Sequence, residues 1–149
     1  MKMNLWGPLT WNLLHVIPEK IYDEHYDKVK SDIFQIITLI CLSIPCPICR
    51  EHATSYLKSN LIKNCDTKQK LKEYLFNFHN GVNATTKKNV EPISIIDKYS
   101  NFVFSTIFFN YFNAYQKNKS DDLTYSFQRK LNLKQIHKLL IKNTFCFTY

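Results

Sequence analysis

The sequence predicts an all-α fold, a bundle of four to five helices, on two observations. Apolar residues recur every three or four positions along most of the chain, which is the period of an amphipathic helix. The stretch richest in β-branched residues, 29–44, is long enough to favour a helix over a strand. With 149 residues, 45% of them hydrophobic, the chain can bury one core, so a single helical bundle is the expected architecture.

Three helices are predicted in the N-terminal part of the chain. Residues 6–15 place two tryptophans and a histidine at helical spacings, with Pro8 as a first-turn residue. Residues 29–44 carry a core-facing apolar stripe that ends at Pro45. A third helix begins at the thiols of the Cys46-Pro47-Ile48-Cys49 segment, because proline is well suited to a first helical position.

Three more helices are predicted after residue 67. Residues 71–83 show the apolar spacing of a fourth helix. Residues 95–115 are apolar over much of the helical circumference, so this fifth helix is expected to be buried or to lie at a subunit interface. Residues 117–122 indicate a linker, and residues 131–140 indicate a weaker sixth helix.

Composition excludes several classes of function. The formal net charge is +8, but the lysines are spread singly among acidic residues, which favours a solvated basic surface over a nucleic-acid site. No apolar run reaches the ~18–20 residues of a membrane span, so none is expected. The N-terminus lacks the pattern of a signal peptide.

Cys46 and Cys49 are spaced so that one helical turn brings both thiols within disulfide distance. The positive end of the helix dipole favours a thiolate at Cys46. Five cysteines in a chain without a secretion signal favour catalytic or metal chemistry over a disulfide scaffold. Alone, the pair fits a redox dithiol, half of a zinc site or two buried thiols.

This spacing allows two specific interpretations, a zinc site and a glutaredoxin-like redox site. Cys46, Cys49 and His52 could form part of a zinc-binding interaction module, with Cys65 or His79 as the fourth ligand. A glutaredoxin-like fold would need strands around the motif and a later cis-proline loop, and the sequence predicts neither.

Two further motifs suggest a site for a flat heterocycle. Residues 6–15 place Trp6, Trp11 and His15 on one helix face, and residues 79–83 offer a histidine ring and two amides. Only two glycines occur, which excludes a Rossmann fingerprint and a phosphate-binding loop. A nucleotide cofactor must therefore be held in another way.

Taken together, these motifs resemble the Erv/ALR flavin-dependent sulfhydryl oxidases. The order Trp-Gly-x-x-x-Trp-x-x-x-His, Cys-x-x-Cys and His-Asn-x-Val-Asn followed by a lysine is similar to the family pattern over residues 5–115. The Cys-x-x-Cys-x-x-His-Ala form at residues 46–53 is similar to the short members encoded by large DNA viruses.

The resemblance implies a four-helix bundle plus a short fifth helix that holds FAD, with an extra C-terminal helical tail. It places an oxidase domain at residues 1–118 and an extension of unknown role at residues 119–149. The expected assembly is a homodimer. As for the viral members, the expected location is the host cytoplasm and the virion.

The resemblance also assigns the site residues, and it implies no metal-binding residue. Cys49 would lie beside the flavin, and Cys46 would be attacked by the substrate. The FAD-binding residues implied are Trp6, Gly7, Trp11 and His15 at the flavin, His79, Asn80, Val82 and Asn83 at the adenosine half, and Lys88 at a phosphate.

The implied activity is that of an FAD-dependent thiol oxidase acting on protein dithiols. The Cys46–Cys49 pair would take electrons from the dithiol and pass them to FAD and then to O2, giving H2O2. Because no second Cys-x-x-Cys is present, a separate substrate or redox carrier protein is the expected partner. Cys41 is expected to be a buried free thiol, Cys65 is left open, and Cys146 fits either a one-cysteine shuttle or an inert thiol.

Overall fold

A computed structural model of the protein describes residues 1–118 and 122–149. This part of the chain is built from α-helices joined by short 3₁₀ segments, with one isolated β-bridge and no strand. The all-α prediction is therefore confirmed. The helices are α1 (Met3–Lys20), α2 (Tyr26–Leu42), α3 (Pro47–Ser59), α4 (Lys68–Thr85), α5 (Phe104–Lys117) and α6 (Leu123–Lys142). The 3₁₀ segments are Asp23–His25, Ile62–Asn64, Ile93–Asn101 and Thr144–Cys146.

The bundle is organised around α1 and α2. Helix α1 packs against α4, α5 and the Ile93–Asn101 segment, whereas α2 packs against α3 and α6. The predicted stripe of α2 is confirmed, since its apolar side chains lie in the core between these partners. The buried residues of that stripe are Val29, Ile33, Ile36, Ile37 and Ile40.

Helix α1 is longer than predicted, and the assignment of Pro8 to its first turn is wrong. The helix begins at Met3, so Pro8 lies inside it. The backbone N–H groups of Leu5 and Trp6 already donate to the carbonyl of Lys2, at 2.9 and 3.2 Å. The turn before Pro8 is therefore helical.

The single fifth helix predicted over residues 95–115 is also wrong. The Ile93–Asn101 segment is a 3₁₀ helix, and α5 starts only at Phe104, after extended backbone at Phe102 and Val103. Each piece buries an apolar face of its own against α1, so the apolar spacing continues across the break. Periodicity alone could not reveal where the chain turns.

The C-terminal region is more regular than predicted. Helix α6 extends the expected helix in both directions, and its apolar face enters the core beside α2. Of the predicted linker, Lys117 belongs to α5 and Asp122 caps α6, while residues 119–121 lie outside the described part of the chain. None of the helices in residues 1–118 and 122–149 combines the length and hydropathy that a membrane-spanning helix requires.

Candidate functional site

The start of α3 brings Cys46 and Cys49 together as a disulfide. Pro47 occupies the first helical position, as predicted, and Cys46 is the N-cap residue with extended backbone. The Cα atoms of the two cysteines lie 5.2 Å apart, inside the range that a disulfide tolerates. The backbone N–H of Cys49 donates to Sγ of Cys46 at 3.2 Å, so the helix terminus also supplies a hydrogen bond to this sulfur.

Both sulfurs are placed for thiol chemistry once the disulfide is reduced. Each cysteine is only partly buried. Unpaired N–H groups at a helix N-terminus stabilise negative charge, which favours a thiolate there. The two cysteines differ in their surroundings, because Cys49 lines a cavity in the bundle and Cys46 is absent from its lining.

We call this space, of about 580 Å³, the Cys49 cavity. Its volume is typical of pockets for small molecules and cofactors. Side chains from α1, α3, α4 and the Ile93–Asn101 segment surround it, and most of them are apolar or aromatic. Its lining includes Trp6, Gly7, Trp11, Ile44, Cys49, His52, Phe78, His79, Val82, Asn83, Lys88, Lys98 and Tyr99.

One wall of the cavity is a stack of aromatic rings that joins three elements. Trp11 and His79 are stacked with their centroids 3.9 Å apart and their planes 6° from parallel. His15 lies behind His79, with its Nε2 atom 2.9 Å from Nδ1 of His79, and Tyr99 stacks on His15 at 4.7 Å. This arrangement fixes the two imidazoles and leaves a flat aromatic surface facing the cavity.

The two imidazoles are neutral at physiological pH. Burial lowers the pKa of His15 to about 3, with added repulsion from His79 and Lys98. Burial likewise lowers the pKa of His79 to about 4, with repulsion from Lys98 and Lys88. A neutral imidazole has one donor and one acceptor nitrogen, so the bonded pair can share one hydrogen between the two rings.

The polar end of the cavity combines a buried amide with two cationic side chains. Asn83 is 9% exposed, and Lys88 and Lys98 line the cavity from two different elements. The turn after α4 positions Lys88: Lys87 adopts a left-handed conformation with φ of 58°, and the N–H of Lys88 donates to the carbonyl of Asn83 at 2.8 Å. Lysine ammonium groups beside an amide suit phosphate oxygens.

Two of the residues singled out in the sequence lie outside the cavity lining. His15 contacts His79 from behind, as described above. Asn80 joins α4 to the following loop, because its side chain donates to the carbonyl of Glu91 at 2.8 Å and accepts from the N–H of Glu91 at 3.0 Å. Asn80 also borders a smaller adjoining cavity together with His15. The remaining predicted FAD-binding residues line the Cys49 cavity directly.

Sequence reasoning missed Lys98 and Tyr99, which complete the cavity. The apolar spacing predicts a continuous fifth helix that includes both residues and gives neither of them a role. Ile96 and Tyr99 are three residues apart and share one side of the 3₁₀ segment, but the same spacing also fits an α-helix. The break at Phe102 is what directs Tyr99 toward His15, and the sequence pattern does not reveal that break.

The zinc alternative is not supported. Cys46 and Cys49 are bonded to each other, and His52 lines the Cys49 cavity. Cys65 is buried elsewhere, where its carbonyl accepts from the hydroxyl of Tyr26. Within residues 1–118 and 122–149, no three histidine, cysteine or acidic side chains converge as metal ligands.

Comparison with known proteins gives relatives in viruses and plants. The FAD-linked sulfhydryl oxidase of African swine fever virus is 34% identical over 85 residues, which are 57% of this chain and 71% of that protein. A protein of Invertebrate iridescent virus 6 is 28% identical over 102 residues, 64% of this chain and 91% of its own length. The FAD-linked sulfhydryl oxidase of Arabidopsis thaliana is 26% identical over 91 residues, 61% of this chain and 47% of its own.

The family comparison covers most of the residues that line the cavity, although Trp6 and Gly7 precede the matched segment. No solved structure matches the chain. The model of the Erv1 / Alr family matches residues 8–101, which contain the Cys46–Cys49 disulfide, α3, α4 and the Ile93–Asn101 segment. Since this match covers more than half of the protein, the chain belongs to the Erv1 / Alr family.

Proposed function

We propose that this protein is an FAD-dependent thiol oxidase that forms disulfides in dithiol substrates, with the Cys46–Cys49 pair as its redox-active centre. The observation that carries this function is the position of the disulfide. One sulfur, that of Cys49, borders a large cavity with aromatic walls, and the other, that of Cys46, does not.

The residues of the cavity fit FAD. Trp11, Phe78 and Tyr99 provide apolar ring surfaces of the kind that stack on flat heterocycles. Asn83 offers amide hydrogen bonds, while Lys88 and Lys98 supply the positive charge that a diphosphate requires. We propose that the residues holding the cofactor are Trp6, Gly7, Trp11, His79, Val82, Asn83, Lys88, Lys98 and Tyr99, with His15 and Asn80 supporting them from outside the cavity lining.

When bound, FAD supplies the two-electron acceptor that O2 reoxidises to give H2O2. The chain supplies the thiol exchange. A substrate thiolate attacks Sγ of Cys46, a new S–S bond forms, and Cys49 leaves as a thiolate. The second substrate thiol, once deprotonated, attacks the substrate sulfur of this mixed disulfide. The substrate is released as a disulfide, and Cys46 leaves as the second thiolate.

The helix terminus stabilises the leaving groups of this exchange. Cys46 and Cys49 lie at the N-terminus of α3, where the N–H groups and the helix dipole favour thiolates. Cys49 lines the cavity, which supports our proposal that its thiolate lies beside the electron acceptor. Cys46 is absent from the cavity lining and only partly buried, which supports our proposal that the substrate attacks this sulfur.

The substrate is proposed to be a separate protein dithiol or redox carrier. Of the remaining cysteines, Cys41, Cys65 and Cys146 are free thiols, and each is buried. The prediction of a buried free thiol at Cys41 is therefore confirmed, and Cys146 is enclosed rather than presented as a shuttle. This supports direct exchange between Cys46 and the partner.

The remaining features of the assembly are proposals that rest on the family resemblance. We propose an oxidase domain at residues 1–118 with residues 119–149 as an extension, and the family match over residues 8–101 lies wholly within that domain. A homodimer is supported by Phe109, a large apolar side chain that α5 leaves exposed. The likeness to viral proteins supports a viral origin, and hence location in the host cytoplasm and the virion.

The function is tested by measuring bound flavin and oxygen uptake on the purified protein. The expected protein is yellow, carries about one FAD per chain, and consumes O2 when dithiothreitol is added. Colourless protein with stoichiometric zinc and no oxygen uptake would overturn the proposal. Reconstitution with added FAD before the assay distinguishes cofactor lost during purification from a chain that cannot bind it.

A further inference from the structure

The C-terminal helix α6 contacts the segment that leads into the redox pair. Residues 119–149 lie beyond the family match, and the family pattern gives them no role. Tyr125, in the first turn of α6, has its hydroxyl 2.8 Å from the carbonyl oxygen of Ser43 and 2.7 Å from that of Ile44. Cys46 follows Ile44 by two residues, so α6 contacts the backbone segment that immediately precedes the disulfide.

These carbonyls need hydrogen-bond donors from outside helix α2. Helix α2 ends at Leu42, and carbonyl groups at a helix C-terminus have no N–H donor within the helix. Ser43 is fully buried and Ile44 is 6% exposed, so water cannot easily replace a missing donor. The single hydroxyl hydrogen of Tyr125 is shared between the two carbonyl oxygens. Burial raises the pKa of Tyr125, which keeps this hydrogen in place at neutral pH.

Arg50 of helix α3 makes a further contact with both Tyr125 and the Ser43–Ile44 turn. Its Nη1 atom donates to the carbonyl of Ile44 at 2.6 Å, and its guanidinium lies over the ring of Tyr125, 3.8 Å from the centroid. The backbone N–H of Arg50 also donates to the carbonyl of Cys46 at 2.9 Å. Arg50 therefore links α3, the Ser43–Ile44 turn and α6 in one set of contacts.

The same turn belongs to the cavity as well as to the disulfide. The Ile44 side chain lines the Cys49 cavity, while its carbonyl is held by Tyr125 and Arg50. Asp122 fixes the start of α6, because its carboxylate accepts from the backbone N–H of Tyr125 at 3.0 Å. The position of the Tyr125 ring is thus set by a helix cap and by Arg50.

We propose that Tyr125 is a positioning residue for the redox pair, and that α6 together with Arg50 holds the Ser43–Ile44 turn so that Cys46 is presented in the geometry of the disulfide. This inference rests on the proposed function for its meaning. Its physical content is that the contacts of Tyr125 favour the oxidised pair over the reduced pair. Loss of the hydroxyl therefore lets the turn relax and makes the disulfide easier to reduce.

The test compares Tyr125→Phe with wild type in a glutathione redox buffer. The substitution removes the hydroxyl and keeps the ring beneath Arg50. The fraction of oxidised Cys46–Cys49 is read by thiol trapping and mass spectrometry. We expect the equilibrium constant for reduction to rise by about threefold to tenfold, the range given by the loss of one buried hydrogen bond. Arg50→Lys should shift the constant in the same direction.

Two controls separate positioning from general destabilisation. Tyr149→Phe removes another tyrosine hydroxyl of the C-terminal region that donates to a backbone carbonyl, that of Thr144, at 3.2 Å. Ile136→Val removes a buried methyl group from α6 and lowers the thermal midpoint without touching the turn. Both controls are expected to leave the redox equilibrium within twofold of wild type.

An unchanged equilibrium constant in both Tyr125→Phe and Arg50→Lys would overturn the inference, as would a shift of equal size in Ile136→Val. If Tyr125→Phe does not fold, Arg50→Lys against Ile136→Val decides alone. The readout needs only the disulfide, so it remains valid on protein that consumes no oxygen. Failure of the proposed function would appear instead as absent flavin or absent oxygen uptake in the wild type.

Discussion

The five cysteines fall in two regions that differ in surroundings and not in residue type. Cys46 and Cys49 lie at a helix N-terminus beside a cavity, partly exposed and bonded to each other. Cys41, Cys65 and Cys146 are enclosed by the apolar core, where burial raises their pKa values to about 12, 11 and 11. Placement alone therefore distinguishes thiols that can exchange from thiols that only pack.

The largest expected effect comes from substituting one cysteine in each region. Cys49→Ser should keep bound flavin and lose at least about 10³-fold in oxygen uptake with dithiothreitol, because no second sulfur remains to complete the exchange. Cys146→Ser is the matched control and should retain turnover. Equal activity of the two variants would show that the division between the regions is wrong.

Thiol labelling measures the same contrast without any substitution. After reduction with dithiothreitol and removal of the reductant, iodoacetamide should modify two cysteines quickly, at Cys46 and Cys49. The core thiols should react at least about 10³-fold more slowly, because they wait for the fold to open. Peptide mapping identifies the sites. Rapid labelling of Cys146 would place it outside the core and restore the shuttle interpretation.

Burial keeps His15 and His79 uncharged at neutral pH, which gives a pH prediction. An unfolded histidine binds a proton near pH 6.5, whereas His15 in the folded chain binds one only near pH 3. Between these values the unfolded chain holds more protons, so stability falls as the pH falls. From pH 7 to pH 5, His15 should cost about 2 kcal/mol of unfolding free energy.

Denaturant unfolding at both pH values measures this loss, with His15→Gln for comparison. The variant should lose less stability than wild type over the same pH interval, because glutamine lacks the titratable group whose pKa is lowered in the folded protein. Identical pH dependence in the two proteins would mean that His15 is not the buried neutral group described here.

The two glycines provide the smallest contrast and a sensitive one. Both lie in helices, and a Cβ atom built on either meets no atom within 4 Å. Gly7→Ala and Gly81→Ala should each raise the stability of the apoprotein by up to about 1 kcal/mol. Only Gly7 borders the Cys49 cavity, so only Gly7→Ala should weaken FAD binding in a flavin titration. Equal FAD affinities of the two variants would contradict the proposal that FAD binds in the Cys49 cavity.

The sequence was sufficient for the features that depend on local chemistry. Pro47 at a first helical position and Cys46 as a cap follow from proline geometry, and the buried stripe of α2 follows from apolar spacing. These features need no knowledge of distant residues.

Features that depend on tertiary contacts were missed. The break at Phe102 leaves the apolar spacing intact on both sides, so the segment that brings Tyr99 against His15 could not be recognised. Tyr125 resembles any half-buried tyrosine of an amphipathic helix. Its contact with the turn before Cys46 spans more than eighty residues, and no local pattern records it.

The central claim is that Cys46 faces the substrate and Cys49 faces the cavity. It is tested most directly by mapping where a substrate thiol is captured. Cys46→Ser and Cys49→Ser are each incubated with oxidised glutathione under native conditions, and the adduct is located by mass spectrometry. The account predicts rapid formation of the mixed disulfide on Cys46 in Cys49→Ser, and slow formation on Cys49 in Cys46→Ser. Faster capture by Cys49 would contradict it.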